Sequence, residues 1–144
     1  MIPGDARLSL EREPPQQFDV LVLDAFNSDA IPTHLLTREA FAIYFRHLKP
    51  DGAIAVHISN RHLNLLPVIV GMSVEFRCLI INITSSDRSS PGSTASNWVI
   101  LSRNQPFLLS QPLLSRAVLM PDEFGTNPLI WTDDYASLFS VIKR

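Results

Sequence analysis

The sequence predicts one α/β domain built on a largely parallel sheet. Three observations carry that prediction. Short β-branched apolar runs alternate with helix-like stretches along the first half of the chain, and that order implies strand, helix, strand, helix, strand. The runs are apolar throughout instead of alternating, as strands buried on both faces of a parallel sheet read. A Ser/Thr-rich stretch with no helical pattern joins the last two runs, which makes them an antiparallel, long-looped hairpin. With 144 residues, 46% apolar and 18% charged, the chain can bury the core of a single domain.

The elements follow in order. Phe18 to Phe26 (FDVLVLDAF) is apolar until it meets Asp24 and forms the first strand. Thr37 is a good helix N-cap and Glu39 suits a first turn. Ala40, Phe41, Tyr44, Phe45 and Leu48 then repeat on one face until Lys49-Pro50-Asp51-Gly52 stops the helix. Ala53 to Ser59 is the second strand. The helix-like stretch Leu63 to Phe76 leads into a third, Arg77 to Thr84, and Asn97 to Arg103 is the fourth. Right-handed crossovers between the parallel strands predict helices on both faces of the sheet. Gln111 to Met120 reads as a short helix. A last helix opens at Trp131-Thr132-Asp133-Asp134-Tyr135, with Leu138, Phe139 and Ile142 on its apolar face.

Composition narrows the function. Twelve Lys plus Arg against fourteen Asp plus Glu, with no basic cluster, remove the footprint of a nucleic-acid binder or a polybasic membrane patch. No apolar run approaches the ~18 residues that cross a bilayer, so the sequence carries no membrane segment and reads as cytoplasmic. Five glycines, no two closer than nineteen positions, exclude a glycine-rich phosphate loop. The lone Cys78 reads as a small core hydrophobe, and the four histidines show no metal spacing, so no metal is expected.

Ligands of open α/β sheets bind beyond the carboxyl ends of parallel strands. Three places qualify: Asp24 with the loop through Asp29 to Pro32; His57-Ile58-Ser59-Asn60; and Gly4-Asp5-Ala6-Arg7, which reads as the exit of another strand. A carboxylate at the tip of an apolar strand needs a partner, a cation or water to offset its desolvation. Asp24 and Asp29, five apart on one loop, suit a cationic amine, which they can orient and deprotonate. Beside that stands the plainer reading, in which Asp24 caps a turn and Asp29 a helix. For His57 the plain reading, a satisfied sheet-end histidine, is favoured, because no second base partners it in sequence. Asp133-Asp134 reads as helix capping, and Trp98 and Trp131 as packing.

The ordered set Gly4-Asp5-Ala6-Arg7, Phe18-Asp19-Val20 through Asp24, Ser28-Asp29-Ala30-Ile31-Pro32, Leu35-Leu36-Thr37, Leu48-Lys49-Pro50-Asp51-Gly52, His57-Ile58-Ser59-Asn60 and Trp131 to Tyr135 resembles the spermidine synthase (polyamine aminopropyltransferase) family. The likeness is to its bacterial branch, often fused to a transporter-like membrane region. The resemblance implies a Rossmann-like fold of the S-adenosylmethionine-dependent methyltransferase kind, here its carboxyl-terminal half. It also implies aminopropyl transfer from decarboxylated S-adenosylmethionine to a polyamine such as putrescine, leaving methylthioadenosine. By that resemblance Asp24 is the proton acceptor, Asp5 and Ala6 contact the nucleoside, Pro32 lines the methylthioadenosine pocket and Asp29 holds the amine. The chain departs from the family's Asp-x-x-Asp-Pro loop, since Ala30 stands where proline would follow the second aspartate. The family's glycine-rich turn lies upstream of the Gly-Asp-Ala motif, so weak or no turnover is expected of these 144 residues alone. Two other functions fit the same residues: methyl transfer to another nucleophile, and a non-catalytic binding or assembly module. Under each of them an exposed sheet edge favours a homodimer.

Overall fold

The structure is a computed structural model that describes residues 4–24, 32–85, 96–120 and 128–143. Asp29 and the end of the first strand at Ala25-Phe26 lie outside the described residues, as does most of the Ser/Thr-rich loop.

The chain runs α1 (Ala6–Arg12), β1 (Phe18–Leu23), a 3-10 turn (Thr33–Leu35), α2 (Arg38–His47), β2 (Leu48–His57), α3 (Leu66–Glu75), β3 (Leu79–Ser85) and β4 (Ser96–Ser102). Two single helical turns, α4 (Gln105–Leu108) and α5 (Gln111–Leu114), then precede the short strand β5 (Ala117–Val118). The five strands form one sheet in the order β1-β2-β4-β3-β5. β1 and β2 are parallel, with Leu23 beside Val56 at their carboxyl ends. β4 runs antiparallel to both β2 and β3 and separates them. The antiparallel pairing of β3 with β4 is the hairpin the sequence predicts.

α2 forms where its cap and periodicity place it: the Thr37 hydroxyl accepts the Ala40 N–H, and Ala40, Phe41 and Tyr44 are buried. β2 begins earlier than expected, directly at the helix end, and runs through Pro50 and Gly52. Pro50 is tolerated because the ladder to β1 resumes only after an irregularity between Phe18 and Val20.

The expectation of helices on both faces is corrected. Leu21, Leu23, Ile54, Val56, Val99 and Leu101 share one core with Phe41 and Tyr44 of α2 and Val68, Ile69 and Met72 of α3. Both crossovers advance across the sheet in the same direction, so the same handedness puts both helices on the same face. The other face stays open at β1, where Val20 and Val22 are 52% and 57% exposed.

α3 is buried almost all round, from Leu66 through Ser73. Its outer side is covered by the C-terminal segment, which contributes Leu129, Ile130, the fully buried Trp131 and Val141 to the core. The final helix expected after Trp131 is instead a 3-10 turn, Leu138–Val141. Leu138, Phe139 and Ile142 are exposed and Val141 alone points inward. The segment is held by backbone hydrogen bonds, Asn64 N–H to Val141 and Lys143 N–H to His62, which replace a helical ladder. The helix expected over 111–120 shortens likewise, because Ala117 and Val118 pair with Ile83 and Asn82 of β3.

Candidate functional site

Two groups of polar side chains are the candidates, one at the start of α1 and one at the carboxyl ends of β1 and β2. The first is built on Asp5. This residue is the N-cap of α1: its Oδ1 accepts the Leu8 N–H at 3.0 Å, while Oδ2 pairs with His34 Nε2 at 2.7 Å. The backbone bond from Leu8, with the His34 ring beside it, holds the Asp5 carboxyl below its ordinary range. Arg7, two residues on, donates to the His34 carbonyl and forms a two-pronged pair with Asp133, which also accepts from the Thr37 hydroxyl at 2.8 Å. The Arg7 bond likewise lowers the Asp133 carboxyl. Arg46 and His47 of α2 donate to the Leu10 carbonyl at the other end of α1. Asp5-Ala6-Arg7 therefore starts a helix that is pinned at both ends, and the strand expected before Gly4 falls on residues 1–3, outside the described residues. Pro32 opens the 3-10 turn that carries His34, the partner of Asp5.

Asp133 acts differently from the capping reading. Thr132 does cap a tight turn, accepting the Tyr135 N–H, but Asp133 points back across the molecule to Arg7.

The second group is built on Asp24. Its carboxylate, 59% exposed, stands one residue past the last paired residue of β1 and accepts or shares a hydrogen bond with His57 Nδ1 at 2.7 Å. The His57 Nε2 lies 2.8 Å from Ser59 Oγ, which accepts the Asn97 N–H at 2.7 Å. Trp98 stacks on the His57 ring, 4.7 Å between centroids and 19° from parallel. Sequence reasoning left His57 without a partner and read Trp98 as packing alone. The register that sets Leu23 beside Val56 brings Asp24 to His57, and cross-strand pairing brings Trp98 to the same ring. The signal was present in outline, since both residues stand where parallel strands run out.

A cavity of about 340 Å³ lies under Ala6, lined also by Leu10, Phe18, Val20 to Leu23 and Tyr44. Four consecutive residues of β1, the outermost strand among the described residues, line it, so it runs along that strand. The Tyr44 phenol faces inward, donates to the Leu35 carbonyl at 3.1 Å and is pushed up by burial. Cys78 is half-buried against the Ser73 carbonyl, and burial pushes its thiol up to about 11, so it is an unreactive packing residue at neutral pH. Among the described residues no three His, Cys, Asp or Glu side chains gather as a metal site, and no helix is long and apolar enough to cross a membrane.

Among solved structures, the chain is similar to a probable spermidine synthase from Corynebacterium glutamicum, with a TM-score of 0.61 and 18% identity over 94% of this chain and 54% of that one. It is also similar to MnmC2 from Aquifex aeolicus, with a TM-score of 0.50 and 17% identity over 87% of this chain and 39% of that one. The chain thus spans about half the length of the first and less of the second. No protein-family model matches the sequence, and no curated protein matches it. At these identities the likeness defines the fold: a mixed, Rossmann-like α/β sheet of the S-adenosylmethionine-dependent methyltransferase kind.

Proposed function

We propose that the chain provides the amine-binding and proton-accepting side of a spermidine-synthase-like aminopropyl transfer. The observation that carries this reading is Asp24: a half-exposed carboxylate at the carboxyl tip of an apolar parallel strand, where open α/β sheets take their ligands. The fold shared with a probable spermidine synthase supports it. In the reaction proposed, Asp24 accepts a proton from the terminal ammonium of a diamine such as putrescine. The freed nitrogen lone pair attacks the aminopropyl carbon bound to the sulfonium of decarboxylated S-adenosylmethionine. The carbon–sulfur bond breaks, sulfur keeps the electron pair, and methylthioadenosine leaves as a neutral thioether. A sulfonium is already a good leaving group, so the protein's part is to position the amine and take its proton. Asp5, Ala6 and Pro32 form the wall proposed for the nucleoside, and Asp29 the second contact to the amine.

Calorimetric titration of the chain with putrescine tests the reading. Asp24→Asn keeps the shape and removes the charge, and is expected to weaken binding by at least about tenfold, the scale of one charge-assisted hydrogen bond. Unchanged affinity in Asp24→Asn overturns it.

The open edge of β1 adds a second proposal, a homodimer. Phe18, Val20 and Val22 are exposed on β1, the outermost strand among the described residues, and two copies related by a two-fold axis can pair these edges antiparallel. Sedimentation is expected to give a dimer that Val20→Lys with Val22→Lys converts to monomer. A wild-type monomer at every concentration refutes the pairing.

A further inference from the structure

We infer that His57 is the positioning residue of Asp24, fixed in one tautomer by a one-way chain of hydrogen bonds that starts on the backbone of β4. The inference rests on the reading of Asp24 as the amine's proton acceptor and deepens it.

The direction of the chain follows from what each group can do. Asn97 N–H donates to Ser59 Oγ at 2.7 Å and occupies one of its lone pairs. The Asp24 carboxylate only accepts, so the His57 nitrogen 2.7 Å from it, Nδ1, carries the hydrogen. In the neutral ring Nε2 is then an acceptor and receives the Ser59 O–H across 2.8 Å. Every donor and acceptor is matched: Asn97 to Ser59, Ser59 to His57, His57 to Asp24. Each bond polarises the next, which strengthens the last one. Trp98 lies flat against the ring and blocks its rotation out of this arrangement.

The consequence falls on Asp24. A carboxylate this exposed at a strand end would rotate freely, and rotation would spread its two oxygens over many orientations. With Oδ1 held by His57, Oδ2 is the oxygen left to face a substrate ammonium. The same three residue types perform acyl transfer elsewhere, with serine as nucleophile. Here Ser59 Oγ already holds the Asn97 N–H and serves the ring as donor, and the charge at the exposed end of the chain is the carboxylate.

Two measurements on the 144-residue chain test the inference. Nitrogen-15 NMR of histidine-labelled protein is expected to show the His57 ring neutral with the hydrogen on Nδ1, and Asp24→Asn is expected to change that signature. A ring with its hydrogen on Nε2 overturns the positioning role alone. Putrescine titration is the second. His57→Ala is expected to weaken binding about tenfold, and His57→Asn, whose Nδ2–H takes the place of Nδ1–H, to restore it to within about threefold of wild type. Equal affinities in the two variants overturn the proposal. Labelling of Ser59 by a fluorophosphonate would make it the nucleophile and overturn it as well. Putrescine that fails to bind the wild-type chain overturns the reading of Asp24 itself, which the Nδ1 signature by itself does not address.

Discussion

Trp131→Ala is expected to lower the unfolding free energy by about 3–5 kcal/mol, most of what a marginally stable domain has to lose. Trp131 is the largest fully buried side chain, and it sits in the core beside residues of α2 and α3. Its backbone carbonyl accepts the Arg38 N–H at 2.8 Å, satisfying one of the unpaired donors at the start of α2. Two residues on, the Asp133 N–H donates to Glu39 and its side chain takes Arg7 and Thr37. Truncation therefore leaves a large cavity and also unseats the segment that ties α1 to α2. Trp131→Phe separates the two effects. The indole N–H has no hydrogen-bond partner among the described residues, so phenylalanine forfeits volume but no bond there. Its cost should stay near 1–2 kcal/mol. Urea unfolding with a common slope measures both. A loss under about 1 kcal/mol for Trp131→Ala would mean that the C-terminal segment is not part of the cooperative core.

What the sequence made legible, and what it hid, divides along a physical line. α2 was readable because its cap, first-turn glutamate and apolar repeat are all local, and Thr37 caps it as expected. The strands were readable as apolar runs, and Asp24 as the carboxylate at a strand tip. Hidden were the contacts that depend on register and on residues far apart. Asp24 meets His57 only because parallel pairing aligns Leu23 with Val56. β4 slips between β2 and β3, an order that no local pattern encodes. Arg7 and Asp133 are 126 positions apart, so Asp133 looked like a cap, and the capping role of Asp5 on α1 was not visible. The exposed Leu138 and Phe139 mimic a helix face, yet the segment's hydrogen bonds go to 62 and 64, leaving no ladder of its own.

Gly71→Ala should be destabilising by a net ~2 kcal/mol, although alanine is the better helix former by ~1 kcal/mol. Gly71 lies inside α3, on the side the C-terminal segment crosses. A Cβ built there would collide with the Leu129 carbonyl oxygen and stand 2.7 Å from its carbon. Both are backbone atoms, so no side-chain rotation relieves the clash; the helix or the segment must move. Glycine is required by close approach and not by conformation, since its φ is ordinary. The expected fall in melting temperature is roughly 6–8 °C. An unchanged or raised melting temperature would refute the contact between Gly71 and Leu129. Leu129 and Trp131 belong to one strand of chain, so the two substitutions should also be coupled. Once Trp131→Ala has released the segment, Leu129 can withdraw, and adding Gly71→Ala should cost at least about 1 kcal/mol less than it does alone. Strict additivity in that double-mutant cycle would show that Leu129 is held over α3 by something other than the tryptophan anchor.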